Sequence, residues 1–365
     1  MKKIAICGGH LTCAEALIEE LVKHKEIEII YIGRKFAAEG SQNLSAEFKS
    51  INSKKIKFIT LTTGRLQRKF TKYTLGSLIK IPVGYVQSLY YLLATRPKVV
   101  VSFGGYISLP LIFSAWLLGI PSITHEQTLK PGLANKINAL FTEKVFVATE
   151  KEKGDFPKEK TIVIGNPIRR AIFKKAAQTK DIQNFISSSQ KLIYITGGNQ
   201  GSHRLNEIIF SALKRLSDYK IIHQLGASGY QKDLQNIKSI KSANYKAVEF
   251  IKEGDIGAVL NKADLVIGRS GANTVWELAA LAKVSILIPL PIAAGGEQLA
   301  NAHFLQNAGS AKIIEQKNLT GDSLVKEIAQ IFKNYSPYQK SAEKLQSQIP
   351  KDAALKLAGA VLKYT

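Results

Sequence analysis

Apolar and polar positions along this chain follow a repeating pattern: short continuous apolar runs alternate with longer segments whose apolar residues fall three and four apart. The clearest instance lies at residues 263–288. There Leu265, Val266 and Ile267 form an apolar run that breaks at Gly268 and Gly271. Val275, Leu278, Ala279 and Ala282 follow at helical spacing, and a second apolar run covers 284–289. A strand, a glycine turn, a helix and a strand in that order predict a parallel pair with the turn at the carboxyl edge of the sheet. Open N–H groups at the start of such a helix favour an anion, most obviously a phosphate. Gly271 would let that anion approach the main chain.

The construction recurs along the chain. Residues 2–7 read as a strand and 12–23 as a helix with Leu17, Ile18 and Leu21 on one face. Strands follow at 27–32 and 56–60. The stretch from Gly64 to Leu93 interleaves Arg65, Arg68, Lys69, Lys72 and Lys80 with Leu66, Phe70, Tyr73, Leu75, Leu78, Ile79 and Ile81. Then come a strand at 99–102, a loop at 103–108, a helix at 109–118, a strand at 122–125, a helix near 133–140 and a strand at 144–148. Residues 150–160 are charged, and Gly165-Asn166-Pro167 is a turn signal. Residues 171–190 are polar with little apolar periodicity and read as the junction between domains. Beyond it a strand at 192–196, a loop at 197–201 and a helix at 203–216 open a second series. Strands near 220–224, 247–250, 265–267, 285–289 and 311–314 alternate with helices there, and the tail at 324–363 is helical in pattern. This alternation predicts an α/β protein of two doubly wound parallel-sheet domains, with a cleft between their carboxyl edges.

The chain's 365 residues exceed one ordinary core and suit two domains. Its 51 Lys+Arg against 28 Asp+Glu give a formal charge of +23, a field that favours polyanions: nucleic acid, an anionic membrane face or phosphorylated substrates. No nucleic-acid recognition module is legible, so nucleic acid is not an expected partner. Cys7 and Cys13 fit a reducing compartment without a disulfide framework. The opening apolar run is too short for a secretory signal, because Gly8-Gly9-His10 ends it. Residues 99–124 carry no charge and mimic a membrane span, but Gly104-Gly105, Pro110 and Pro121 break them at strand, loop, helix and strand intervals.

Three glycine loops follow predicted strands: Gly8-Gly9-His10, Phe103-Gly104-Gly105-Tyr106 and Gly197-Gly198-Asn199-Gln200-Gly201. The Gly197 loop alone reads equally well as a tight strand-to-helix turn, the Gly8 loop alone is a weak signal, and neither the dinucleotide nor the Walker pattern occurs. His10 would stand at the edge of the cleft beside a helix N-terminus, which disfavours an imidazolium. It is the candidate general base; the plainer reading is a histidine satisfying a turn. His125-Glu126, at a strand end, either faces the cleft or bonds a neighbouring loop. Thr274 and Glu277 match a capping-box spacing, so Glu277 either serves its own helix or accepts the two hydroxyls of a ribose. Gln298 and Asn301 share a helix face, which is either solvated or turned to a ligand. Missing D-x-D, H-E-x-x-H, C-x-x-C and G-x-S-x-G patterns argue against metal-dependent transfer, zinc hydrolysis and a serine esterase, and no metal site is expected.

Several blocks in one order, SFGGYISLP (from Ser102), AWLLGIPSITHEQ (from Ala115), GNPIR (from Gly165), GGNQGSHRLN (from Gly197), SGANTVWELA (from Ser270) and EQLANA (from Glu297), resemble the MurG family of peripheral membrane glycosyltransferases. The resemblance runs nearly end to end. It implies a GT-B fold whose Rossmann-like domains face each other across a cleft. Residues 1–165 would form the acceptor and membrane domain and 166–345 the donor domain, with a terminal helix near 346–365 packing back on the first. It also implies a metal-independent, inverting transfer of N-acetylglucosamine from UDP-N-acetylglucosamine to the C4 hydroxyl of undecaprenyl-diphospho-N-acetylmuramoyl-pentapeptide, without cofactor. This would take place at the cytoplasmic face of the plasma membrane, in peptidoglycan synthesis, with other cell-wall synthesis proteins as further partners.

On that resemblance His10 is the base. The donor would be held by Arg169, Gly198, Asn199, Gln200, Gly201, Ser202, Ile251, Ser270, Gly271, Ala272, Asn273, Thr274, Glu277, Gln298 and Asn301. Among these Glu277 takes the ribose hydroxyls and Ile251 meets the uracil. Gly8, Gly9, Gly104, Gly105, Tyr106, His125, Glu126 and Thr128 would stand on the acceptor side. The chain departs from the family in its first loop, usually GGTGGH, where Cys7 runs directly into Gly8-Gly9-His10. Thr128 also replaces the usual asparagine after HEQ, and Gly295-Gly296 replace charged residues before Gln298. No Asp or Glu occurs between Phe48 and His125, so the Gly64 to Leu93 stretch reads as a face for anionic lipid or as a basic solvated surface. Alternative readings are another GT-B enzyme (a glycolipid transferase or a UDP-N-acetylglucosamine 2-epimerase) and a non-catalytic nucleotide-sugar-binding subunit.

Overall fold

The computed structural model describes residues 1–36, 43–64, 74–198, 200–226, 233, 235–237, 240, 242–291 and 296–365. The chain forms two compact units, Met1–Arg169 with Pro350–Thr365, and Arg170–Ile349.

In the first unit β1 (Lys2–Cys7), α1 (Leu11–Leu21), β2 (Ile27–Gly33), α2 (Ala46–Ser53), β3 (Lys57–Thr60), α3 (Thr74–Thr95) and β4 (Val99–Ser102) are followed by α4 (Ser108–Leu117), β5 (Ser122–Glu126), α5 (Leu133–Phe141), β6 (Lys144–Val147), α6 (Glu150–Lys153) and β7 (Thr161–Val163). The seven strands run in the order β3-β2-β1-β4-β5-β6-β7, all parallel. Cys7 pairs with Ser102, so β1 and β4 end level and their loops emerge side by side.

The second unit opens with a 3-10 turn at Arg170–Phe173, α7 (Lys180–Ile186), β8 (Leu192–Thr196), α8 (His203–Ala212), β9 (Lys220–Gln224), β10 (Tyr245–Val248), α9 (Glu253–Lys262), β11 (Leu265–Gly268) and α10 (Ala272–Ala280). It continues through β12 (Val284–Leu287), α11 (Glu297–Asn307), β13 (Ala311–Ile313), α12 (Gly321–Lys333) and α13 (Tyr335–Gln346). Its parallel sheet has the order β10-β9-β8-β11-β12-β13. Both orders reverse beside the first strand of the unit, as in dinucleotide-binding sheets.

Burial on both faces explains the continuous apolar runs of the strands. In the first unit Ile4 and Ile6 pack with Leu17, Ile18 and Leu21 of α1, while Ala5, Cys7 and Val100 pack with Leu92, Leu111, Ile112 and Ala115 on the other face. The last helix, α14 (Ala353–Leu362), lies against α1 and adds Leu357, Ala358 and Val361 to the first of these clusters. In the second unit Ile193, Ile195, Leu265 and Ile267 pack with Leu205, Ile209, Leu324 and Ile328.

Several elements differ from the sequence expectation. The polar stretch 171–190 is no linker: the 3-10 turn and α7 bury Ala171, Ile172, Ile182 and Ile186 within the second unit. Too few apolar residues lie there for a period to show. The helix expected over 203–216 gives way to a 3-10 turn at Leu213–Leu216. Ala282, counted on the face of α10, is instead left-handed at φ 51°, two residues past the helix end, where its amide bonds Ala279. Residues 99–124 form strand, helix and strand, and no helix among the described residues is long and apolar enough to cross a membrane. Arg65, Leu66, Arg68, Lys69, Phe70, Lys72 and Tyr73 lie outside the described residues.

Leu357 is fully buried between α14 and the sheet. Leu357→Ala should cost about 2–5 kcal/mol. Hydrogen exchange should show the loss in β1 and β4 while β8 and β11 keep their protection; equal loss in both sheets would contradict this packing.

Candidate functional site

Ligands of doubly wound sheets bind outside the carboxyl ends of the strands, where the order reverses. In the first unit that point lies between β1 and β4, and the loops there are Gly8-Gly9-His10 and Phe103-Gly104-Gly105. Phe103 N–H donates to Cys7 O (2.8 Å) and Gly9 N–H to Gly104 O (3.0 Å). Gly8 sits at φ 129°, and a Cβ there would fall 2.7 Å from the Phe103 backbone, so only glycine fits the crossing. Tyr31 donates its hydroxyl to Gly8 O (3.0 Å) from below.

His10 occupies the N-cap position of α1 without capping it. Its Nδ1 lies 2.7 Å from Phe103 O. A carbonyl only accepts, so Nδ1 carries the proton and Nε2 of the neutral ring keeps its lone pair. That is the arrangement a general base needs. The sequence placed His10 on this edge; the carbonyl that orients it is visible only in three dimensions.

Three residues expected on the acceptor side are instead interior. His125 is fully buried at the end of β5 and donates Nε2–H to Gly165 O (3.1 Å), while its buried Nδ1 has no hydrogen-bond partner. Burial lowers its pKa to about 4. The Glu126 carboxylate accepts the amides of Thr128 (2.9 Å) and Gly132 (3.0 Å) and Nδ2 of Asn135 (3.0 Å). Thr128 is itself buried. Glu126 therefore closes the loop leading into α5, and Gly9, Gly105 and Tyr106 are left as the accessible part of this edge, Gly8 and Gly104 being buried.

In the second unit the reversal lies between β8 and β11, and Gly268 pairs with Thr196 there. Gly198 N–H donates to Thr196 Oγ1 (3.0 Å) and Gly201 N–H to Gly198 O (3.1 Å), which folds the glycine loop back on itself. A Cβ on Gly201 (φ 77°) would collide with the carbonyl of Leu225. Asn199 lies outside the described residues. Ser202 caps α8 by accepting from Leu205 N–H (3.4 Å).

Gly271 is the N-cap of α10, and a Cβ built on it would meet nothing within 4 Å. The main-chain N–H groups at Ala272, Asn273 and Thr274, the first turn of this helix, form the anion-favouring end predicted from the glycine pattern. Thr274 is the third helical residue, so the capping box expected with Glu277 does not form; Glu277 lies one turn further on and is half-buried. Ser270 donates to Gln298 O (2.8 Å), Asn301 Nδ2 donates to Ser270 O (3.2 Å), and Leu290 N–H donates to Gln298 Oε1 (3.0 Å). These bonds bring the start of α11 against the start of α10. Asn301 is buried with its Oδ1 unpartnered, so a solvated face is excluded for it.

Ile251 is buried and its N–H bonds Gln224 Oε1 (3.0 Å), leaving Phe250 as the exposed apolar neighbour. Arg169 belongs to the first unit and pairs with Glu15 at 3.9 Å. Sequence reasoning missed Arg269. Its guanidinium donates to Ser202 Oγ (2.7 Å), Gln316 Oε1 (2.7 Å) and Ile288 O (3.1 Å), and burial lowers its pKa. It thereby ties the glycine loop, the α10 turn and the end of β12 together around one positive charge. An arginine held between a strand-ending glycine and a helix-opening glycine was the available signal. Among the described residues no group of three His, Cys, Asp or Glu could hold a metal ion.

Two parallel-sheet units of this order, each with glycine loops at its reversal, define the GT-B class of glycosyltransferases. Family models for the glycosyltransferase family 28 N-terminal domain match residues 7–147, and those for the C-terminal domain match 192–357. The chain belongs to glycosyltransferase family 28. Relatives named UDP-N-acetylglucosamine–N-acetylmuramyl-(pentapeptide) pyrophosphoryl-undecaprenol N-acetylglucosamine transferase include one from Treponema denticola, 32% identical over 87% of this chain and 84% of its own. A second, from Myxococcus xanthus, is 32% identical over 98% of this chain and 91% of its own. Among solved structures, MurG of Acinetobacter baumannii shares the fold with a TM-score of 0.71 at 23% identity, each chain covered in full. The UDP complex of Staphylococcus aureus MnaA shares it at 0.71 and 15% identity, over 100% of this chain and 97% of that one.

His125 stays neutral in the fold down to about pH 4, whereas an unfolded histidine takes up a proton near 6.5. Its contribution is therefore intact above 6.5 and is lost as pH falls from 6.5 towards 4. Unfolding free energy should drop by about 2 kcal/mol between pH 7 and 5 from this residue. His125→Gln should flatten that slope in urea titrations at the two pH values; an unchanged slope would refute the assignment.

Proposed function

We propose that this chain transfers N-acetylglucosamine from UDP-N-acetylglucosamine to the C4 hydroxyl of undecaprenyl-diphospho-N-acetylmuramoyl-pentapeptide, with inversion and without a metal. The observation that carries the reading is identity of 32% over 98% of the chain to a relative named for this transfer. The glycine loops at both sheet reversals support it. The donor would lie on the second unit. Its diphosphate would face the N-terminus of α10 and the Gly198–Gly201 backbone, Glu277 would take the ribose hydroxyls, and Gln298 and Asn301 the sugar side.

In the transfer, the acceptor oxygen forms its bond to the anomeric carbon as the bond to the UDP oxygen breaks on the opposite face. His10 Nε2 accepts the hydroxyl proton, and UDP departs with the electron pair. Main-chain N–H groups and the Arg269 guanidinium stabilise the charge gathering on the diphosphate, the work a metal ion does elsewhere. The base typically contributes about 10²–10⁴-fold.

The lipid-linked acceptor calls for a membrane face, and we assign it to the first unit, at the cytoplasmic face of the plasma membrane. On α3 the exposed residues Ile79, Val83, Val86, Tyr90 and Leu93 recur at helical spacing, and Trp116 and Leu117 are exposed on the adjoining α4. Tyr85 of α3 meets Phe113 of α4 edge-on at 5.5 Å. Arg96 and Lys98 are exposed just beyond α3. An apolar helix face with cations beside it suits anionic lipid, at about 1 kcal/mol per well-placed cation.

Transfer measured with UDP-N-acetylglucosamine and a short-chain lipid acceptor should be acceptor-dependent; donor consumption without acceptor would favour an epimerase. His10→Ala should lower kcat by about 10²–10⁴-fold with UDP affinity retained. Glu277→Ala should weaken UDP binding by roughly tenfold or more. Unchanged transfer or unchanged affinity, respectively, would remove each residue from its role. Binding to anionic vesicles should weaken with salt and fall further in Val86→Asp; equal binding to neutral vesicles would refute the lipid face.

A further inference from the structure

Beneath the Phe103-Gly104-Gly105 loop lies a buried polar cluster that the proposed transfer does not use directly. Asn138, on α5, is 1% exposed, and Ser102 and Ser108 are fully buried. The single carboxamide of Asn138 reaches both hydroxyls: Nδ2 donates to Ser108 Oγ at 2.7 Å and lies 3.3 Å from Ser102 Oγ. Ser102 Oγ accepts from Gly104 N–H (3.1 Å), and Ser108 donates to Gly105 O (2.8 Å). One side chain therefore pins the glycine loop at both of its ends.

That loop in turn fixes the first one. Gly104 O accepts from Gly9 N–H, and Phe103 O accepts from His10 Nδ1. Gly104 and Gly105 both have positive φ, at 72° and 79°, a main chain with many alternative conformations if its anchors are lost. The direction of the Phe103 carbonyl follows from the setting of the residues after it.

We propose that Asn138 is the positioning residue for His10: through Ser102 and Ser108 it holds the Phe103 carbonyl where it keeps the proton on Nδ1 and the lone pair on Nε2. The inference rests on the reading of His10 as the base, but the orientation can be measured without it. Asn138 touches neither reacting atom and lies outside the second unit, which carries the proposed diphosphate and ribose contacts. Removing it should therefore affect the imidazole and the rate and leave UDP binding alone.

The test uses the full chain with ¹⁵N-labelled histidine. In the native protein the His10 ring should give the spectrum of the Nδ1–H tautomer. In Asn138→Ala it should become a mixture of both tautomers, with kcat down between about tenfold and 10²-fold and UDP affinity unchanged. Ser108→Ala, which removes one hydroxyl, should show the same direction with a smaller effect and serves if Asn138→Ala does not fold. A native tautomer and native kcat in a folded variant would overturn the proposal. A shifted tautomer with native kcat would leave Asn138 as the positioning residue and remove His10 as the base.

Discussion

Everything near the proposed chemistry depends on main chain passing main chain with no side chain between. In the first unit the Gly8-Gly9 turn crosses the Phe103-Gly104 turn closely enough that a single Cβ on Gly8 would enter the Phe103 backbone. In the second unit Gly201 stands against Leu225 and Gly226 in the same way. The crossings need strands that end level, and the parallel registers of Cys7 with Ser102 and of Thr196 with Gln224 supply that. Level ends bring two loops to one place, and glycine lets them touch. The first contact sets an imidazole; the second holds the glycine loop against the end of β9.

The units contribute different electrostatics from one architecture. The first offers an imidazole whose Nδ1 proton is committed to a carbonyl, above a packed polar layer of Ser102, Thr124, Asn135 and Asn138 in which Thr124 donates to Asn135 Oδ1 (2.9 Å). The second offers positive potential, from the first turn of α10 and from Arg269, whose three hydrogen bonds hold its charge in place. Oriented groups of this kind need no reorganisation when charge develops. The formal charge of +23 is a separate matter, since surface lysines are screened and act on encounter and surface association rather than on the reacting bond.

Strands buried on both faces announced themselves as apolar runs, so β1, β4, β8 and β9 were legible to the residue. Elements that bury only a few side chains were not: α7 contributes Ile182 and Ile186 among polar neighbours, and β7 is three residues long. The site divides similarly. His10 and Gly271 could be placed at helix starts beyond strand ends from turn chemistry, whereas spacing left open whether Asn301 was solvated or buried. His125-Glu126 read either as facing the cleft or as bonding a neighbouring loop, because a strand end and a loop closure use the same residue types, and Thr128 entered only through the family resemblance. Arg269 was passed over because its partners lie 19, 47 and 67 residues away in sequence, beyond any local pattern.

The first loop shows how the fold absorbs a departure from its family. Where the family reading has GGTGGH, this chain runs from the end of β1 through two glycines to His10. The missing residues would lengthen a turn, but the anchors of the turn do not lie in them. Gly8 O receives Tyr31, Gly9 N–H finds Gly104, and His10 finds Phe103. Each of these is a bond to a neighbouring strand or its loop, fixed by the sheet rather than by the length of the turn. The shortened loop therefore has fewer main-chain amides than the family pattern, yet keeps the imidazole oriented. The setting of the His10 ring is thereby independent of the length of the turn that precedes it, and the Gly104 N–H on the facing loop is itself committed to Ser102.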